Sequence, residues 1–187
     1  MKNLSLPTVV EQKHALIFDL FHPLTRADPS WGTYKVLGVS KEVRNEHLLE
    51  KSPDRLAGRV TDPQSIIQSL AHAIDPSIPE EVIEEATENR IQKFAESLIE
   101  IPKETVQFFD RLKDTGKKIG LLSNADVMEC AAWYDSPLTP FFDSVVFSCR
   151  AGYGKPEREI YEVSLEELQV HPPDSVFIGD GGSEELA

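Results

Sequence analysis

Ala15, Leu16, Ile17 and Phe18 form a run of four apolar side chains that stops at an acid, Asp19, and passes into Leu20-Phe21-His22-Pro23-Leu24-Thr25. So short a run, with no polar alternation, predicts a strand buried on both faces, the habit of parallel sheets. Three further runs have the same form, at 119–122, 144–147 and 176–178, each ending in a polar or Gly-containing turn. Segments of helical period lie between the last three. In 156–169, Pro156 suits a first helical position, and Ile160, Val163, Leu165 and Leu168 supply the apolar residues. Strand alternating with helix predicts an α/β fold: a doubly wound, parallel, Rossmann-like sheet with right-handed crossovers. Open sheets of this kind keep their chemistry at the carboxyl ends of the strands, which is where Asp19 falls.

About a hundred residues separate the first run from the second, far more than one crossover helix requires. The excess reads as helices with recognisable ends. Ser40 precedes an apolar pattern over 43–50, Asp62-Pro63 precedes Ile66, Ile67 and Leu70, and Ser77 with Glu80 forms a capping box ahead of Ile83, Ile91, Phe94 and Leu98. Prolines 29, 53, 63, 76 and 79 punctuate the stretch and no strand pattern interrupts it. The expected organisation is an all-helical cap over 27–99 inserted into an α/β core made of 1–26 and 100–187. A helix over 103–115, stopped by Gly116, returns the chain to the sheet.

Composition narrows the function classes. With 19 basic against 32 acidic residues the formal charge is −13, and no Lys/Arg run forms a phosphate-backbone stripe, so nucleic acid and anionic membrane are not the expected partners. No segment approaches the ~18 apolar residues of a membrane span, and the N-terminus lacks the pattern of a secretory signal, which leads to a cytoplasmic expectation. Cys130 and Cys149 show no ligand or disulfide-framework spacing and read as small core residues. Oligomeric state has no signature in the chain.

Four polar sites fall where strands or helices begin or end. They read Phe18-Asp19-Leu20-Phe21-His22-Pro23-Leu24, then Leu121-Leu122-Ser123-Asn124, then Gly154-Lys155-Pro156, then Ile178-Gly179-Asp180-Gly181-Gly182-Ser183-Glu184. Singly, each is what a helix cap, a turn or a loop looks like. In this order, each at its strand edge, they resemble the motifs of the haloacid dehalogenase-like hydrolases, in the subclass that carries a helical cap, and the resemblance runs from about His14 onward.

That resemblance implies a division of labour. Asp19 is the nucleophile, forming a covalent intermediate that splits one hard hydrolysis into two easier steps. A carboxylate approaching a phosphate dianion meets repulsion, so Lys155 and Mg²⁺ supply positive charge. Asp19, the backbone carbonyl of Phe21, Asp180 and Glu184 provide the hard oxygen ligands for the metal. Ser123 holds the oxygen on which charge develops, with Asn124 and His22 facing substrate. The expected ligand is a small phosphorylated metabolite, or alternatively a halogenated one.

Departures from the family pattern keep other readings open. Phosphatases of this family usually carry a second Asp two residues after the nucleophile, which protonates the leaving group; Phe21 has no proton to give, and the general acid-base help worth about 10²–10⁴ is missing there. An aromatic residue at that point, with Tyr161 six residues after Lys155, resembles the metal-free 2-haloacid dehalogenases instead. Asp180 argues against them, because a second carboxylate near Asp19 makes sense chiefly with a cation between the two. His22 stands where glycine is usual and reads either as a proton donor or as a residue packed under the cap. Pro23 removes a backbone donor from the phosphate loop, consistent with a catalytically silent module that binds a phospho-ligand. Arg26, Trp31 and Tyr34 begin the cap and either face substrate or pack. Relatives usually continue through a further helix and strand, so a shortened C-terminus with weakened metal binding is expected.

Overall fold

The computed structural model describes residues 7–25, 29–40, 42–43 and 52–181. Four strands form one parallel sheet: β1 (Ala15–Phe18), β2 (Lys118–Ser123), β3 (Ser144–Phe147) and β4 (Ser175–Ile178), in the order β3-β2-β1-β4. The four apolar runs are these strands. Side chains of β1 alternate across the sheet, and both faces are covered, so all four are buried. Leu16 and Phe18 face a layer with Phe109 and Leu112 of the helix Lys103–Lys113, together with Trp133, Leu138 and Phe147. Ala15 and Ile17 face Leu122, Val146 and the residues Ile160 and Leu168 of the helix Arg158–Leu168. Gly120 of β2 permits that second helix to sit close: a Cβ there would lie 2.8 Å from Leu168 Cδ1.

Numbered in chain order, the α-helices of the described residues are α1 (Thr8–Glu11), α2 (Trp31–Val36), α3 (Pro53–Leu56), α4 (Pro63–Ile74), α5 (Glu80–Ile99), α6 (Lys103–Lys113), α7 (Ser148–Ala151) and α8 (Arg158–Leu168). The segment between β1 and α6 contains only helices among its described residues, and builds its own apolar core from Tyr34, Ile66, Ile67, Leu70, Ile83 and Ala86. Met128, from the loop after β2, joins that core and seats the helical segment on the sheet. Tyr34 is a packing residue there, fully buried, and Trp31 packs at its margin. The helix expected over 43–50 lies, apart from Val43, outside the described residues, as does Arg26.

Asp62 caps α4 as its spacing predicts, accepting from the Ser65 N–H at 2.8 Å. The capping box of Ser77 and Glu80 does not form. Asp75 takes both the N–H and the hydroxyl of Ser77, at 2.8 and 2.7 Å, in a local turn, and Pro79 stands at the N-cap of α5.

The strand order reverses about β1: the chain moves to β2 and β3 on one side, then returns to β4 on the other. Register pairs Phe18 with both Leu121 and Ile178, and the Asp19 N–H continues the ladder to the Ile178 carbonyl at 2.9 Å. The residues following β1, β2 and β4 therefore emerge at one edge, at the switch point where open sheets bind ligands. Among the described residues no helix is long and apolar enough to cross a membrane.

Candidate active site

Above this edge lies a cavity of about 210 Å³, below the 300–1,000 Å³ typical of sites for drug-sized ligands. Asp19, Phe21, His22, Ser123, Asn124, Lys155 and Asp180 all line it, so the four sequence motifs converge on one space. Glu184 lies outside the described residues.

Asp19 is 8% exposed, and its contacts fall on Oδ1, which accepts the Leu20 N–H at 2.8 Å and lies 3.0 Å from Lys155 Nζ. Oδ2 is left for a nucleophile's work. The lysine is 6% exposed, and its ammonium stands 5.2 Å from the centroid of the Phe177 ring. Asn124 holds this lysine from behind. Its Oδ1 accepts the Lys155 N–H at 2.7 Å and its Nδ2 donates to the Lys155 carbonyl at 3.0 Å. The amide read from sequence as substrate-facing thus spends its side-chain hydrogen bonds on positioning Lys155. Ser123 closes β2, is 1% exposed and lines the cavity.

The loop after Asp19 turns sharply at His22, whose φ of 69° is left-handed, a region histidine visits more readily than most residues. Its N–H donates to Thr25 Oγ1 at 3.3 Å, and its side chain is exposed at the cavity wall. Phe21 meets Phe94 of α5 edge to face, ring centroids 5.3 Å apart, so this part of the wall is apolar. Tyr161 does not line the cavity; it packs edge to face on Phe177, 6.0 Å between centroids.

The composition of the remaining wall was not foreseen from sequence. Arg55 of α3 and Glu129 of the loop after β2 line the cavity, and both belong to a buried cluster with Arg90 of α5 and Asp126. Arg55 Nη1 donates to Asp126 Oδ2 at 2.8 Å and to Glu129 Oε1 at 3.0 Å. Arg90 Nη2 also donates to Glu129 Oε1, while its guanidinium carbon lies 4.6 Å from the Phe94 ring centroid. Asp126 Oδ1 accepts the N–H groups of Met128 and Glu129 at 2.8 and 2.9 Å, and Glu129 Oε2 accepts the Asp126 N–H at 2.8 Å. Burial works to raise Glu129, but the charges of Arg55 and Arg90 outweigh it and hold the carboxyl below its ordinary value. Burial, and then the charge of Glu129, push Asp126 up against the same two arginines. The one sequence signal for this cluster is the acid pair spaced by three just after the Ser123-Asn124 edge.

The donors suit a hard divalent cation. Asp19 and Asp180 bring two carboxylates to one cavity, which Phe21 also lines. Among the described residues no group of three His, Cys, Asp or Glu side chains is poised for a metal. Two carboxylates and a carbonyl are nonetheless a normal protein share for Mg²⁺, which keeps several waters.

Residues 8–187 match the family model of the haloacid dehalogenase-like hydrolases. A stretch of 46 residues, 25% of the chain, is 41% identical to bifunctional epoxide hydrolase 2 of Sus scrofa, and the chain spans only 8% of that protein's length. Solved structures resemble the whole chain more evenly. A predicted HAD-like family hydrolase from Porphyromonas gingivalis superposes with a TM-score of 0.67 at 23% identity, covering 94% of this chain and 85% of the other. A family enzyme from Bacteroides thetaiotaomicron, complexed with magnesium and inorganic phosphate, gives 0.66 at 18% identity, covering 91% and 86%. The L-2-haloacid dehalogenase of Xanthobacter autotrophicus gives 0.57 at 20% identity, covering 88% and 69%.

Proposed function

The chain belongs to the haloacid dehalogenase-like hydrolases, and we propose that it is a Mg²⁺-dependent phosphohydrolase acting on small phosphorylated metabolites by way of a phosphoryl group carried on Asp19. The observation that carries this reading is Asp180 sharing one cavity with Asp19 and Lys155. Two carboxylates against one lysine leave excess negative charge facing an anionic substrate, which a divalent cation would offset. Asp19, the Phe21 carbonyl and Asp180, with Glu184, would hold Mg²⁺, which supplies charge neutralisation for the phosphoryl oxygens.

The chain's own groups then divide the work. Lys155 orients Asp19 through Oδ1 and adds a positive charge beside the transferring group. Oδ2 of Asp19 attacks phosphorus and the bond to the leaving oxygen breaks. Water next attacks the aspartyl phosphate, releasing inorganic phosphate and restoring the carboxylate. Ser123 steadies a phosphoryl oxygen through both steps.

Phe21 gives no proton to the leaving group, so preferred substrates are those whose leaving oxygen departs as a stable anion, such as aryl, enol or acyl phosphates. His22, beside Phe21 in the wall, is a side chain able to give or take a proton. Hydrolysis of an activated aryl phosphate with Mg²⁺, with a chelator and in Asp19→Asn tests the reading. Turnover that needs the metal and is lost in the variant supports it.

A second reading has its own observation. The Phe21–Phe94 wall is apolar where an acid would otherwise stand, and halide leaves without a proton. Halide release from a 2-haloacid in the presence of chelator would favour a dehalogenase. Neither activity, with phosphate still bound, would favour a silent phospho-ligand module.

A further inference from the structure

Cys130 and Cys149 lie side by side, their sulfurs 3.8 Å apart, although 19 residues separate them and sequence spacing pairs neither with anything. They border no part of the catalytic cavity. What they border is the seat of the cap. The turn containing α3 rests on the core at two points. Arg55 reaches Glu129, the neighbour of Cys130, and Gly58 reaches the Cys149 carbonyl. This second approach is so close that a Cβ on Gly58 would sit 2.0 Å from the Cys149 oxygen, and Gly58 has the left-handed φ of 67°. Each thiol is therefore adjacent to one of the two supports of the same cap turn.

We propose that Cys130 and Cys149 are a redox-modifiable dithiol which an organic disulfide closes to an intramolecular bond, tying together the two core segments that support the cap turn at 53–58. The chemistry balances without further reagents. One sulfur displaces a thiol from the added disulfide, forming a mixed disulfide; the second sulfur displaces the remaining thiol. A Cys130–Cys149 bond forms, the bond of the added disulfide breaks, and two thiols leave with the two protons. Cys149 is half-buried and so within reach of a small reagent. Either thiol can donate across the sulfur–sulfur contact; that contact, with the charge of Arg150 and against burial, lowers Cys130, and the same contact, with burial, pushes Cys149 up. The pair holds its proton unequally, leaving Cys130 as the attacking sulfur of the closing step.

The native chain treated with an aromatic disulfide, dithiobis-nitrobenzoate, is expected to release two equivalents of thionitrobenzoate and to retain no adduct. Its intact mass should fall by two hydrogens, a linked 130–149 peptide should appear, and a dithiol reductant should reverse both changes. Hydrogen exchange at 53–60 is expected to slow several-fold in the oxidised protein. Cys149→Ser, altering the less buried thiol, should leave no cross-link, and any adduct at Cys130 should persist. Two stable adducts in place of a cross-link, or no reaction in the folded protein, would overturn the proposal. So would a cross-link that leaves exchange at 53–60 unchanged. None of these readouts depends on hydrolytic activity.

Discussion

Lys155 Nζ sits 3.0 Å from Asp19 Oδ1, with 1% of the lysine side chain and 12% of the aspartate side chain exposed. A pair this dry is stabilising only while both members are present, because removing one strands the other's charge. Lys155→Met is expected to abolish most aryl phosphate turnover, by about 10²–10³-fold, the scale of losing one positioned electrostatic group. It should also lower stability by roughly 3–5 kcal/mol, as for a broken buried pair. Steady-state kinetics and urea unfolding on the same preparation check both.

Asn124 provides a gentler probe of the same contact, since it touches Lys155 only through the backbone. In Asn124→Asp the oxygen facing the Lys155 N–H remains, but the amide that donated to the Lys155 carbonyl becomes a second oxygen facing an oxygen. The expected cost is about 1–3 kcal/mol, the penalty for an unsatisfied buried acceptor. Its signature is a fall in kcat with little change in KM, because Lys155 is displaced while the cavity walls stay. A rise in KM alone would instead mean that the amide binds substrate directly.

The four motif sites were legible because each is local. A short apolar run ends, and its next polar residue must lie at the sheet edge. The fold followed from the same runs, down to strands at Ala15–Phe18 and Ser144–Phe147. The Arg55 cluster was not legible, because its hydrogen bonds join residues 71, 74 and 39 positions apart and no periodicity encodes such a meeting. The cysteine pair was hidden for the same reason. Ser77 misled for the opposite one: two local partners competed, and Asp75, two residues before it, took the hydroxyl that Glu80's spacing had suggested for a cap.

Acid sensitivity should trace to Glu129. The arginines hold its folded pKa below 4.5, so its stabilisation is complete above 4.5 and is lost as pH falls through the lowered value. Asp126 runs oppositely. Raised above 3.8, it binds its proton more readily when folded, so stability declines as pH rises from 3.8 through its folded value. Below 3.8 the Asp126 contribution is complete and no longer varies, so Glu129 alone sets the slope there and acidification destabilises. Glu129→Gln should flatten that acid limb while costing about 3–5 kcal/mol near neutrality, where Arg55 and Arg90 lose a shared carboxylate. Urea midpoints near neutrality and on either side of 3.8 read both effects.

Phe21→Asp restores a carboxyl at the position where phosphatases of the family carry their acid, and so asks whether the missing proton limits turnover. The ring it removes packs edge to face on Phe94, 5.3 Å between centroids, which in turn lies under the Arg90 guanidinium. Losing a half-buried phenylalanine should cost stability, up to about 3 kcal/mol. The kinetic change should depend on the leaving group. An aryl phosphate, whose phenolate leaves unaided, should gain little. An alkyl phosphate, whose alkoxide needs a proton, should gain up to about 10²-fold in kcat/KM, the lower end of what general acid catalysis supplies. Parallel assays on the two esters therefore separate a proton-limited enzyme from one limited by its geometry: an equal change on both would mean that Phe21 acts through the shape of the wall.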